Sequence, residues 1–548
     1  MPARRLFLAL APALTLAAFA LVVFAQERTD YNLIHLIREE AGEHSQVMDH
    51  LWFLSERYGP RLTASPEFDE AAGWAMERMK SWGLANVHAE SWGPFGRSWS
   101  LQHYAVELIE PRYSLLDAVP LAWSAPTGKA VTAEPVMAPF AATPNNQVKT
   151  EEDFEKYKRE WHGKLRGKIV LYNRPRANAD TAEEKSYFSR YTDAELASLA
   201  KTPDPTPKID IRLEDVKIPE DPQDAQRYMA SLPPDIREVL ADRNREAGEK
   251  RDRFFVDEGA AAIFMEDNRS HDGMVFAEAA GTRKAADRLS VPKFRITEEH
   301  YNRIARLLEK NQPVKLRIDL DAAVGARDLN ARNIVAEIPG GAKKDEIVAI
   351  GAHFDSWHGG TGATDNASGS AVMMEVMRVL SRLQVKMDRT VRIILWSGEE
   401  QGLLGSKAYV KEHFGVPGKP TAEHAKLAAY FNLDNGSGRI RGVYLQGNDA
   451  ARPFFERALT GPFRDLGVTT ISLRNTGGTD HLSFDDVGLP GFQFIQDPLD
   501  YSAVTHHSTM DTYDHVVQAD LIEASIVIAG VVVQEADAPE MMPRKHQQ

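Results

Sequence analysis

His353, Asp355, Asp365, Glu399, Glu400 and Asp434 are imidazoles and carboxylates that cluster at the ends of patterned segments rather than scattering over the chain, and His506 and His507 lie far downstream in a loop that could close over the same edge. Apolar, strand-like runs at 347–352, 391–396 and 428–433 lead directly into His353 and Asp355, into Glu399 and Glu400, and into Asp434. Asp365 follows a loop containing Gly359, Gly360 and Gly362 and opens a helical pattern. In an open α/β sheet, ligands bind beyond the carboxyl ends of the strands, so this pattern predicts one shared edge. Imidazoles and carboxylates without thiols suit a hydrolytic zinc site, because they hold the ion and leave a position for water. Two His and three carboxylates are too many for one catalytic zinc and fit two ions about 3.5–4 Å apart, bridged by a carboxylate. Adjacent glutamates are ordinarily solvated charge, but Glu399 and Glu400 stand between a buried strand and Gly402, which favours chemistry. Asp480 and His481, in Gly477-Gly-Thr-Asp-His, read as a structural turn whose carboxylate supports the ligands, whereas His35, His44, His50, His88 and His103 read as packing or surface residues.

The elements that must position these residues form a regular series after Asn333, with apolar runs alternating with helical patterns. Val372, Val376, Val379, Leu380 and Leu383 mark one helix face. Such alternation predicts a parallel or mixed sheet with helices on both faces. Ahead of it, Leu51, Leu54 and Tyr58, then Ala71, Ala75, Met76 and Met79, mark helices that stop at Gly83, and 87–109 alternates like strands. Residues 121–146 are rich in Pro and Ala, lack periodicity and read as a boundary. A buried strand is expected at 167–172, and a short helix ending at Gly259 should lead into a second strand at 260–264. Between them, the charged stretch 173–253 reads as helical pieces on a surface insertion. The apolar segment 521–536 contains Glu523 and fits a buried helix better than a membrane span.

The 548 residues allow two to four domains, and 43% hydrophobic residues supply ample core. With Lys+Arg 65 against Asp+Glu 79, the net charge of −14 disfavours nucleic acid and anionic lipid surfaces as partners. Arg4 and Arg5, the apolar stretch 6–24 and Val23-Phe-Ala25 form a signal-peptide pattern, predicting export and a mature chain from Gln26 without stable membrane association. An uncleaved anchor is the alternative. Cys is absent, so neither disulfides nor lipid-modified cysteine can contribute.

The strings His353-Phe-Asp355-Ser-Trp, Gly-Ala-Thr-Asp365-Asn-Ala-Ser-Gly, Trp396-Ser-Gly-Glu399-Glu400-Gln-Gly-Leu-Leu-Gly-Ser, Asn432-Leu-Asp434 and His507-Ser-Thr-Met-Asp-Thr-Tyr resemble the zinc exopeptidases of metallopeptidase family 28. Tyr58-Gly-Pro-Arg-Leu-Thr and Trp82-Gly-Leu-Ala-Asn-Val are similar to the family's opening helices. The resemblance implies a three-layer α/β/α peptidase domain built from 26–120 and 326–538, with a mostly parallel mixed sheet and a flexible tail at 539–548. Residues 121–325 would form an inserted, β-rich protease-associated domain. It further implies two Zn2+ per chain: Asp365 bridges them, Glu400 and His507 complete one site, and His353 and Asp434 complete the other. Glu399 would be the general base, Asp355 would orient His353, and the Asp365–Asn366 peptide would be cis. Relatives often carry an oxyanion-stabilising Tyr where this chain has His506, so that role falls to His506 or Tyr501. Substrates would be short peptides, cut by aminopeptidase, dipeptidase or carboxypeptidase action, in a secreted, extracellular or periplasmic enzyme. The alternatives are a non-catalytic receptor-like protein on the same fold and a single-zinc glutaminyl cyclase. Homodimerisation is left open.

Overall fold

The computed structural model describes residues 29–141, 151–175, 187–201, 211–219, 228–229, 231–267, 269–325 and 328–545. The signal-peptide reading of 1–25, parts of the 173–253 insertion and the end of the tail lie outside them.

The strand-like runs assemble into an eight-stranded sheet ordered Ala85–Trp92, Ala331–Ile338, Arg389–Trp396, Lys343–His353, Leu427–Asn432, Gly491–Gln496, Ile440–Tyr444, Thr470–Ser472. Arg389–Trp396, Lys343–His353, Leu427–Asn432 and Gly491–Gln496 are parallel neighbours, whereas the Ala85–Trp92 edge and the Ile440–Tyr444 strand join antiparallel. Period-two alternation sorts their side chains between two cores. Val348, Ile350, Ala352, Ile393 and Leu395 face the helices Tyr31–Glu43, Pro66–Ser81, Ser368–Arg382 and Gln518–Ala536. Ile347, Ala349, Ile394, Trp396 and Tyr430 face Leu404–His413 and His481–Asp485. The architecture is therefore three-layered, α/β/α. The last helix is buried along most of its length, and among the described residues no helix is long and apolar enough to cross a membrane.

A second lobe carries a four-stranded antiparallel sheet (Ser114–Leu115, Ser98–Glu110, Lys315–Gly325, Val131–Ala133) and a five-stranded one (Ala118–Pro120, Lys293–Ile296, Ala262–Met265, Ile169–Asn173, Pro135–Ala141). Because Ser98–Glu110 pairs along its length with Lys315–Gly325, the strands of this lobe begin at Ser98, ahead of the expected boundary at 121. The region 121–146, read as without periodicity, contributes the strands Val131–Ala133 and Pro135–Ala141. Four of the five strands in the second sheet are mutually parallel, and the helices Glu151–Trp161, Pro234–Glu258 and Glu298–Glu309 accompany them, so the lobe is α/β rather than β-rich. The short helix expected before Gly259 is the end of the 25-residue helix Pro234–Glu258, which Gly259 closes at φ 70. The lobe's core centres on Trp99 and Trp123, and Trp357, from the loop after Lys343–His353, packs into it.

Candidate metal centre

The four parallel strands end at one edge, and the side chains singled out above gather there. His353 closes Lys343–His353; Glu399 and Glu400 follow Arg389–Trp396; Asp434 follows Leu427–Asn432; His506 and His507 follow Gly491–Gln496. Asp365 lies in the turn before Ser368–Arg382, and its peptide bond to Asn366 is cis. The Asn366 side-chain amide donates to the Leu433 carbonyl at 2.9 Å, fixing the Asp365 turn to the Asp434 loop. Asn432 donates to Gln493 and Thr479 and accepts from the Tyr430 hydroxyl, holding that loop from below.

Asp365 is central. Its Oδ1 lies 3.0 Å from His353 Nε2, and its Oδ2 lies 3.3 Å from His507 Nε2. His507 Nε2 is also 3.0 Å from Glu400 Oε2, while His353 Nε2 is 3.5 Å from Asp434 Oδ1. Two triads thus share one carboxylate: His353, Asp365, Asp434 and His507, Asp365, Glu400. Buried Asp365 Oδ2, Glu400 Oε1 and Asp434 Oδ1 accept no hydrogen bond among the described residues. An unpaired buried carboxylate oxygen is costly, and cations would satisfy all three. The donor set, imidazole and carboxylate without sulfur, suits zinc.

The electrostatics agree. Burial pushes Glu400 up to about 8, with Asp365 adding to the effect, and pushes Glu399 well above the usual carboxylate range. Burial would lower the His353 and His507 imidazoles, yet the surrounding carboxylates lift both well above their ordinary value. Asp365 is drawn down: burial opposes ionisation, but the His353 hydrogen bond and the His507 charge outweigh it. Concentrated negative charge held away from water is the condition a divalent cation relieves.

His506 stacks on His507 with ring centroids 3.8 Å apart, its Nε2 is 3.9 Å from Asp365 Oδ2, and the Tyr501 ring lies 5.0 Å away. His507 alone of the pair reaches Glu400 at 3.0 Å. Asp355 takes part differently from expectation: His353 Nδ1 meets its backbone carbonyl at 2.9 Å, while its carboxylate, 3.7 Å away, is beyond hydrogen-bond range. That carboxylate accepts from the Thr63 hydroxyl at 2.7 Å and from the Glu399 N–H at 3.4 Å. Asp480 is fully buried at the start of His481–Asp485, is pushed up to about 7 by burial, and contributes charge that raises Glu399.

Several supporting residues were not singled out individually from the sequence. Arg61 donates to the carbonyls of Leu54, Phe354, Thr361 and Gly362, joining the His353 and Asp365 loops. Asp511 accepts from Thr364 N and Oγ1 at 2.6 and 2.8 Å and from Asp365 N at 3.3 Å. Glu278, from the second lobe, lies 2.9 Å from His507 Nδ1. Arg61 and Asp511 lie inside strings that drew notice, Tyr58-Gly-Pro-Arg and His507-Ser-Thr-Met-Asp; nothing in the sequence around Glu278 signals its role.

Residues 333–532 match the family model described as Peptidase family M28. Carboxypeptidase Q of Mus musculus is 24% identical over 498 residues, spanning 90% of this chain and 87% of the relative. Aminopeptidase YwaD of Bacillus subtilis (strain 168) is 29% identical over 220 residues, 39% of this chain and 46% of the relative. Among solved structures, a Peptidase M28 precursor from Shewanella amazonensis SB2B has a TM-score of 0.63 at 23% identity, covering 94% of this chain and 99% of the other. BSAP, a zinc aminopeptidase from Bacillus subtilis, has a TM-score of 0.52 at 20% identity, covering 90% and 95%. At these identities the two structures establish likeness of fold. The family match falls on the segment that carries the gathered His and carboxylate side chains, and residues 333–532 are a metallopeptidase segment of the kind described by Peptidase family M28.

Proposed function

We propose that the chain is an exported, dinuclear-zinc exopeptidase that releases a residue from the end of dipeptides or short peptides. The observation that carries this reading is Asp365, whose two oxygens address the imidazoles of two different triads. Glu400 and His507 complete one site, His353 and Asp434 the other. When bound, such a metal pair acidifies a water and polarises the scissile carbonyl. Glu399 takes the proton from the attacking water and hands it to the leaving amine, a two-way duty suited to a carboxylate whose burial raises its proton affinity. His506, stacked on His507 and kept neutral at pH 7 by burial, would donate from its ring N–H to the developing oxyanion. The second lobe is read as a protease-associated domain lining one side of the site. Export rests on the Arg4, Arg5 and Val23-Phe-Ala25 pattern.

Metal analysis of protein secreted by its host, together with a dipeptide panel in free, N-blocked and C-amidated forms, tests the reading. Two zincs per chain, a mature N-terminus at Gln26 and loss of cleavage with one of the two blocks are expected. The sensitive block identifies the terminus that is read, and so separates the activity named for carboxypeptidase Q from that named for the aminopeptidases. One zinc would favour the cyclase alternative, and none the receptor-like one.

A further inference from the structure

Resting on the two-metal reading, we infer that the second lobe completes the metal centre: Glu278 is a positioning residue that sets the His507 ligand. His507 is held by that lobe at two points. Its backbone carbonyl accepts from Ala277 N at 3.0 Å, and its Nδ1 lies 2.9 Å from Glu278 Oε1. The contacts belong to a short antiparallel ladder, in which Thr509 N donates to the Val275 carbonyl at 2.9 Å and Phe276 bridges to Ser508. His507 has φ 64, in the left-handed region that non-glycine residues rarely occupy, so its backbone needs holding from outside.

The side-chain contact fixes the chemistry. A carboxylate on Nδ1 selects the tautomer whose proton sits on Nδ1 and leaves the Nε2 lone pair, the atom 3.0 Å from Glu400 and 3.3 Å from Asp365, free for an ion. Glu278 is in turn held from the same lobe. Arg269 Nη2 donates to its Oε1 at 3.1 Å, Arg269 Nε donates to Asp267 at 3.0 Å, and the guanidinium lies 4.5 Å from the Phe276 ring centroid. Asp267, Arg269, Glu278 and His507 therefore run as a chain from the second lobe into the His507–Glu400 triad. Among the described residues the His353 triad has no such link, since His353 Nδ1 meets the Asp355 carbonyl on its own loop.

Stepwise Co2+ titration of metal-free wild type, Glu278→Gln and Glu278→Ala, read by visible absorption and chelator competition, tests this. One of the two binding steps is expected to weaken about 10–100-fold in Glu278→Ala and less in Glu278→Gln, which keeps an acceptor for Nδ1. The other step should stay at the wild-type value, with kcat lowered and KM unchanged. Arg269→Gln should weaken the same step by a smaller factor. Glu278→Gln is isosteric and decides the matter if the alanine variant does not fold. Wild-type affinities and spectra at both steps in Glu278→Gln and Glu278→Ala would overturn the inference while leaving the two-metal reading intact. A wild-type protein that takes up fewer than two cobalt ions would overturn that reading and this inference with it.

Discussion

Glu399 and Glu400 share a turn but face different partners. Glu400's carboxylate lies 3.0 Å from His507, whereas Glu399 is tied down through its backbone, its N–H donating to Asp355 and its carbonyl accepting from Gly402 and Leu403. Glu399→Gln keeps the shape and removes the proton acceptor, so zinc content should remain at the wild-type level while turnover falls roughly 10²–10⁴-fold. Glu400→Gln should lose zinc first and turnover in proportion. Metal analysis beside kcat on both variants separates them, and the opposite pattern would exchange the two roles. At this scale the sequence was informative where a residue type sits at the end of a patterned run, as for His353, Asp365, Glu400 and Asp434, or in a string that resembles a family motif, as for His507. It was silent on residues that act across the chain: Thr63 meets Asp355 from 292 positions away, and Glu278 meets His507 from 229. No periodicity encodes such a pairing.

The loops bearing His353 and Asp365 owe their mutual placement to one buried guanidinium, donated by the segment after the helices that open the chain. Arg61 has no exposed surface, and burial lowers it to about 10, so it stays charged at neutral pH beside Asp511 and Asp355. Arg61→Met would leave the carbonyls of Leu54, Phe354 and Thr361 short of a donor, while that of Gly362 keeps the Ala367 N–H. Each buried unsatisfied group costs about 1–3 kcal/mol, and with partial relaxation the expected total is roughly 3–5 kcal/mol. Urea denaturation against wild type measures it; a loss below about 1 kcal/mol would mean that the loops hold without the clamp. The element pattern was legible where apolar runs are sustained, as in the parallel strands Arg389–Trp396, Lys343–His353 and Leu427–Asn432 and in Ser368–Arg382, whereas the fourth parallel strand, Gly491–Gln496, went unread. Ile440–Tyr444 and Thr470–Ser472 are short, and Gly442 has no side chain to mark a face, so local patterning left them unread. Alternation in Ser98–Glu110 likewise announces a strand but not that its partner is Lys315–Gly325.

The two lobes meet at a histidine that must stay neutral, which makes the joint between them sensitive to acid. His358 follows Trp357 in the peptidase-side loop, and its Nε2 lies 2.6 Å from the Pro120 carbonyl in the second lobe, with the Trp99 ring 4.9 Å away. Burial pushes its imidazole down to about 4, the Pro120 hydrogen bond opposing only in part. His481 is likewise lowered to about 4 by burial, and His50 is lowered in the helical layer despite the nearby Glu375. The direction follows from proton counting. An unfolded histidine titrates near 6.5, so below that pH the unfolded chain binds protons that the folded chain refuses. Stability from this source is complete above about 6.5 and is lost as pH falls toward 4, by roughly 3 kcal/mol for a gap of this size. Metal ligands also titrate on acidification, so wild type alone cannot isolate the effect. His358→Gln keeps a donor for Pro120 and removes the titration. Its denaturation free energy should fall roughly 3 kcal/mol less between pH 7.5 and 4 than that of wild type, whatever its stability at pH 7.5. Parallel pH curves for the two proteins would show that the Pro120 joint does not sense acid through His358.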